Sequence, residues 1–253
     1  MIQTISCSDS FSVMKDKFEK GENFSYVRFG DGDLFIMFDK YKNDCQVDGT
    51  VGKWNRFEVT KKLQDELKES FNINDENYMV ASVMNQVNNE LDMSQNDRLV
   101  GYYIDEVDNN ILIPRQQFYH HFMFIHSFVH NFPQFKSLVD SYIKPKNTMY
   151  VSGFRSKEID NLFGVPKYFV ETPKQNSYEN IDEWYENILY FIDDTDIVLL
   201  GTGFSSRVIA KRLWNDCRDV VVLDLGSIID GLRKNYNRLW LQKYQNVFEK
   251  FND

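Results

Sequence analysis

Two carboxylates one residue apart, Asp31 and Asp33, close the run Tyr26-Val-Arg-Phe-Gly-Asp-Gly-Asp33, where an apolar segment stops abruptly at glycines. Glycine permits a sharp turn and a close backbone approach to a ligand. Paired carboxylates offer the hard oxygen donors that Mg²⁺ or Mn²⁺ prefers. Arg28 sets a permanent positive charge beside them, so Arg28, Gly30, Asp31 and Asp33 form a candidate site for a divalent metal together with a phosphate. The same residue types also build ordinary turns, and the rest of the chain decides between the two readings.

A second candidate is Gly201-Thr-Gly-Phe-Ser-Ser206, which follows the apolar run Asp196-Ile-Val-Leu-Leu and precedes a helix-like segment. A glycine turn at a helix start presents backbone N–H groups and a positive dipole end to an anion, which makes Gly201, Thr202 and Gly203 candidate phosphate or ribose contacts. Asp224 falls about one strand-helix-strand unit later. That arrangement resembles the dinucleotide fingerprint, in which an acid at the end of the next strand binds a ribose hydroxyl, and the first motif of S-adenosylmethionine methyltransferases. Ser206 stands where the third glycine belongs, and a purely structural tight turn is the competing reading.

The four histidines fall together in Tyr119-His-His-Phe-Met-Phe-Ile-His-Ser-Phe-Val-His-Asn131. His126 and His130 would share one helical face, as metal ligands can. No HExxH pattern accompanies them and phenylalanine crowds the segment, so a packed helix with partly exposed histidines is expected.

These residues need elements to hold them. Short β-branched runs at Thr148–Gly153, Lys167–Glu171, Asp196–Gly201 and Asp219–Asp224 alternate with helix-like segments, which predicts a mostly parallel sheet covered on both faces. Ligands in such α/β sheets bind beyond the carboxyl ends of the strands, and those ends carry glycine, hydroxyl, amide or charged residues here. In the amino-terminal half, a helix is expected over Ser8–Lys20, strands over Phe24–Phe29 and Tyr78–Met84, and a helix over Arg56–Phe71. In the last of these, Val59, Leu63, Leu67 and Phe71 make one apolar stripe. Asn88–Asp108 reads as a polar stretch containing a helix, and Tyr236–Phe251 as one amphipathic helix docked on the core. No repeat or flexible linker interrupts the chain, so residues 1–253 read as a single domain.

Composition bounds the function. The chain has 253 residues, 42% of them hydrophobic, enough to bury a full core. Its formal charge of −9 argues against general nucleic-acid binding, which needs a basic footprint. Cys7, Cys45 and Cys217 are scattered without zinc or disulfide spacing, and read as reduced thiols in the cytoplasm. No apolar run is long enough to span a bilayer, and the amino terminus carries no export pattern.

Four segments in order carry a family resemblance. Arg28-Phe-Gly-Asp-Gly-Asp33, Glu171-Thr-Pro-Lys-Gln-Asn-Ser177, Leu199-Leu-Gly-Thr-Gly203 and Val222-Leu-Asp-Leu-Gly-Ser-Ile-Ile-Asp230 are similar to the signature segments of the GT-D fold glycosyltransferases, a family long catalogued as a domain of unknown function. The resemblance covers most of the chain and implies a Rossmann-like α/β sheet flanked by helices. Two positions depart from the family pattern: Asp33 stands where glutamate is usual, and Ser227 where histidine is usual.

The resemblance implies transfer of a sugar from a nucleoside diphosphate donor, most often UDP-linked, to a hydroxyl of a glycan or glycoprotein. A metal at Asp31 and Asp33 would neutralise charge developing on the leaving diphosphate, supplemented by Arg28 and Lys174. Asn176 and Thr202 would orient ribose or sugar hydroxyls, and Asp224 a ribose. Glu171 and Asp230 are candidate bases for an inverting reaction. A methyltransferase or dinucleotide enzyme using the Gly201 turn, and a catalytically silent nucleotide-sugar or glycan-binding domain, are the alternatives.

Overall fold

The structure is a computed structural model that describes residues 3–37, 59–82, 117–174, 177–237 and 239–252. Eight strands form one sheet: β1 (Gln3–Thr4), β2 (Ser25–Phe29), β3 (Tyr78–Ser82), β4 (Gln117–His120), β5 (Thr148–Ser152), β6 (Tyr168–Glu171), β7 (Ile197–Gly201) and β8 (Val221–Asp224). Their order is β1-β4-β3-β2-β8-β7-β5-β6, and every described pairing is parallel. All residues of β2, β3, β5 and β8 are buried, because helices cover both faces of the sheet. Strands of that kind read as continuous apolar runs without alternation, which is why the sequence revealed them.

The helices are α1 (Cys7–Lys20), α2 (Asp31–Met37), α3 (Lys61–Asn72), α4 (Met123–His130), α5 (Phe132–Leu138), α6 (Lys157–Phe163), α7 (Ile181–Phe191), α8 (Ser205–Asp216), α9 (Ile228–Leu232), α10 (Leu239–Lys243) and α11 (Gln245–Asn252). Their ends follow capping chemistry. Ser6 accepts the Asp9 N–H at the start of α1, and Gly21, at φ 68°, closes it. Thr60 accepts the Leu63 N–H, so α3 begins at Lys61 and Val59 precedes it, although the apolar stripe predicted a start near Arg56. Leu63, Leu67 and Phe71 are buried as that stripe requires. Arg212 on α8 ties this helix to its neighbours, pairing with Glu66 of α3 at 2.9 Å and Asp182 of α7 at 2.6 Å.

Two expectations are corrected. The glycine-aspartate segment expected as a sharp turn is the first turn of a helix, α2, and the Asp33 carboxylate sits where negative charge suits the dipole. The single tail helix expected over Tyr236–Phe251 is two helices, α10 and α11, separated at Tyr244. Asn88–Asp108, Cys45 and Asn176 lie outside the described residues.

The tail does dock on the core. Phe248 is fully buried, with its ring stacked on Phe128 at 4.8 Å between centroids. A side chain at Gly231 would meet the Phe248 ring at 2.4 Å, so glycine there is what admits it. Phe248→Leu removes the stack and is expected to cost about 1 kcal/mol in urea unfolding; an unchanged midpoint would show that the docking contributes nothing. No described helix is long and apolar enough to cross a membrane.

Candidate functional site

The chain runs from β2 to β3 on one side of the sheet, while β8, β7, β5 and β6 lie on the other. Where the order reverses, the carboxyl ends of neighbouring strands part and leave a crevice. A cavity of about 320 Å³ lies there, lined by residues that follow β2 (Gly30, Gly32, Asp33), β4 (His121), β5 (Phe154), β7 (Gly203, Phe204) and β8 (Gly226, Ser227). Arg28 from β2, Arg207 from α8, Asp230 and Ile229 from α9, and Arg233 just beyond α9 complete its wall.

A buried ionic network forms its floor. The Arg207 guanidinium lies 3.0 Å from Asp33 and 3.2 Å from Asp224, and also donates to the Gly203 carbonyl. Asp33 Oδ2 accepts the Gly30 N–H at 2.8 Å, the return half of a capping box on α2. Asp224 Oδ2 accepts the Arg28 N–H at 3.3 Å. Arg28 in turn donates through Nε to the His121 carbonyl at 2.7 Å and through Nη2 to His121 Nε2 at 2.9 Å. That last bond makes Nε2 an acceptor, so His121 is held as the neutral imidazole.

Glycine is required at two points of this wall. Gly226 has φ 55°, and a Cβ on it would fall 0.9 Å from Arg28 Nη1, so its bareness makes the space the guanidinium fills. Gly203 has φ 65°, as the turn into α8 demands. No side chain caps the start of α8. Ser206, which takes the place of a third glycine, accepts the Thr202 N–H at 3.2 Å and bonds its hydroxyl at 3.0 Å, so the serine braces the turn.

The candidates from sequence separate under this geometry. Arg28, Gly30, Asp33, Gly201, Gly203 and Asp230 line the cavity. Asp31 opens α2 beside them. Asp224 is 1% exposed and lies beneath the wall as a counter-ion of Arg207, with Oδ2 engaged and Oδ1 without a partner among the described residues. Thr202 bonds inward to Ser206. Glu171, at the end of edge strand β6, and Lys174 are exposed and do not line the cavity. His126 and His130 pair on α4 with rings 4.9 Å apart, away from the lining residues.

The sequence reading missed Arg207, Arg233, Phe154 and His121. Arg207 had a readable signal: a cation in the first turn of a helix opposes the dipole, so its presence there implies carboxylates close by. The other three carry no local pattern.

Among the described residues, no three His, Cys, Asp or Glu side chains group as a metal-binding set. The acidic donors at the start of α2 would share a divalent ion with a ligand's phosphates, since Mg²⁺ commonly uses one or two carboxylates in that way. They do not suit a cage made by the protein alone, because Arg207 already engages Asp33 and Asp224.

The tyrosines around this core are held neutral. Burial pushes the Tyr150 phenol up to about 12, opposed by the Ser152 hydroxyl, and burial also pushes Tyr26 well above the ordinary value. A raised phenol contributes stability that is whole below the unfolded value near 10 and is lost as pH climbs through the folded one. The urea midpoint is therefore expected to fall between about pH 10 and 12, with a smaller fall in Tyr150→Phe; identical slopes in the two proteins would contradict the assignment.

No protein-family model matches the chain, and no curated protein matches it in sequence. Its three-dimensional arrangement does have relatives. A structure described as a new glycosyltransferase (DUF1792) from Streptococcus sanguinis superposes with a TM-score of 0.68 at 17% identity, over 96% of this chain and 85% of the other. The fold is that of DUF1792. A selenomethionine-substituted structure of domain of unknown function 1792 agrees, with a TM-score of 0.66 at 16% identity over 90% of this chain and 79% of the other. A third, described as showing that the domain has a distinct glycosyltransferase fold, gives 0.63 at 16% over the same shares. The DUF1792 fold thus carries the α/β sheet expected from the sequence, with the cavity at the reversal of its strand order.

Proposed function

We propose that this chain is a glycosyltransferase that moves a sugar from a nucleoside diphosphate sugar, UDP-linked in the first instance, to a hydroxyl of a glycan or glycoprotein. The observation that carries the reading is the wall of the cavity. It joins three guanidiniums, those of Arg28, Arg207 and Arg233, to the turn that opens α8, in a fold shared with a protein described as a glycosyltransferase. Ser227 Oγ and Arg207 Nε are buried without a partner among the described residues, and such atoms at a cavity wall favour a polar ligand.

In this reading the start of α8 and the cationic wall stabilise negative charge that develops on the leaving diphosphate. Arg207 holds Asp33 and Asp224 in place, and Arg28 is fixed by His121 and by the bare Gly226. A divalent ion carried on the phosphates, when bound through Asp31 and Asp33, would supply further charge neutralisation. In an inverting reaction Asp230, which lines the cavity, is the candidate to take the acceptor proton in preference to Glu171, which does not line it.

The buried setting of Asp224 weighs against the dinucleotide reading, which needs that acid at a ribose. Calorimetric titration with UDP, UDP-sugars, S-adenosylmethionine and NAD, first with Mn²⁺ and then with chelator, tests the proposal. Binding of a UDP-sugar supports it, and binding of S-adenosylmethionine or NAD alone overturns it. Weakening by the chelator would support the joint metal.

A further inference from the structure

Three guanidiniums reach the cavity, and their surroundings differ. Arg207 is bound between two carboxylates, and Arg28 lies against His121. Arg233 stands apart: its guanidinium carbon lies 3.5 Å from the centroid of the Phe154 ring, and no described carboxylate is within ion-pair distance of it. The turn that delivers it passes through Lys234 at φ 58°, the single non-glycine residue with positive φ among the described residues. A lysine in that region is disfavoured and persists where the surroundings impose it.

The ring is itself held in position. Phe154 follows β5 with its N–H donated to Ser152 Oγ at 3.2 Å. A side chain on Gly153 would meet the Lys174 Cα at 2.9 Å, so this glycine lets the segment after β6 close over the end of β5. That closure brings Lys174 Nζ to 5.3 Å from the same ring. The Phe154 ring, which lines the cavity, therefore has two cations near it. Stacking fixes the plane of a guanidinium and leaves its N–H edge for a planar fork of oxygens. With no described carboxylate to fill that fork, an oxyanion ligand is the complement, and a diphosphate presents such oxygens on both of its phosphates.

We propose that Arg233, laid on Phe154 and assisted by Lys174, is the receptor for the donor's diphosphate. This rests on the nucleotide-sugar reading above. Lys174, which does not itself line the cavity, contributes to that role through Phe154. The nucleoside is left to other parts of the wall.

The test is titration of the parent chain, Arg233→Gln, Arg233→Lys and Phe154→Leu with UDP, uridine and inorganic pyrophosphate, with thermal melts of each. In Arg233→Gln, affinity for UDP and pyrophosphate is expected to fall by about tenfold to a hundredfold, while uridine binds as before. Arg233→Lys keeps the charge and loses the fork, so a smaller loss is expected. Phe154→Leu leaves the charge unsupported and should weaken UDP by about threefold. UDP affinity unchanged in Arg233→Gln, or uridine weakened as much as UDP, overturns the assignment and leaves the nucleotide-sugar reading standing. A parent chain that binds neither UDP nor pyrophosphate overturns both. Should Arg233→Gln melt early, the graded losses in Arg233→Lys and Phe154→Leu decide the matter.

Discussion

Arg207→Met is expected to destabilise the folded chain by about 3–5 kcal/mol, the cost of leaving buried charges without their partner. Arg207, Asp33 and Asp224 are each less than a tenth exposed, so water offsets little of the lost guanidinium. Both carboxylates would face the loss together, at 3.0 and 3.2 Å from the vacated position. The damage should be partly repaired by removing one of them: Arg207→Met with Asp224→Asn is expected to lose less than the sum of the single changes, because residues in one network do not act independently. Urea unfolding of the four proteins measures this. Additive losses would mean that Arg207 and Asp224 are not coupled, and an unchanged midpoint in Arg207→Met would remove the network from the account of stability.

Asp230→Asn is expected to lower sugar transfer by about 10²–10⁴-fold, the usual contribution of a positioned base, while donor binding stays near that of the parent. The substitution keeps the size of the side chain and its bond to Asn235, whose Nδ2 donates to Oδ1 at 3.5 Å. It removes only the capacity to take a proton. Glu171→Gln is the companion measurement, and little effect is expected because Glu171 does not line the cavity. Reversed outcomes would move the base to the edge of the sheet, and a loss of donor affinity in Asp230→Asn would make it a binding residue.

Much of the site was legible because the signals were local. Glycine before an acid, glycine after an apolar run and charge at a strand end are patterns within a few residues, and they marked Arg28, Gly30, Asp33, Gly201 and Gly203, all on the cavity wall; Asp230, also on it, came from the family resemblance. Local pattern read Asp31 and Asp33 as part of a glycine turn, since it could not show that Asp33 would fold back onto the Gly30 N–H and start a helix. The histidine cluster was read by its helical face, and His126 and His130 do share one. His121 was passed over because it lies before that helix, at the end of β4, where only the sheet order brings it to Arg28.

The sequence by itself determined the parallel α/β sheet and its helical cover, because a strand buried on both faces must be apolar throughout and a covering helix must carry a stripe. It also determined that the loops at the strand ends would be polar and glycine-rich. Only the tertiary structure decided which of those ends meet. Arg207 reaches Asp33 and Asp224, and Arg233 reaches Phe154, across segments far apart in the chain. Such contacts depend on strand order, and no residue records in its own neighbourhood which strand will lie beside it.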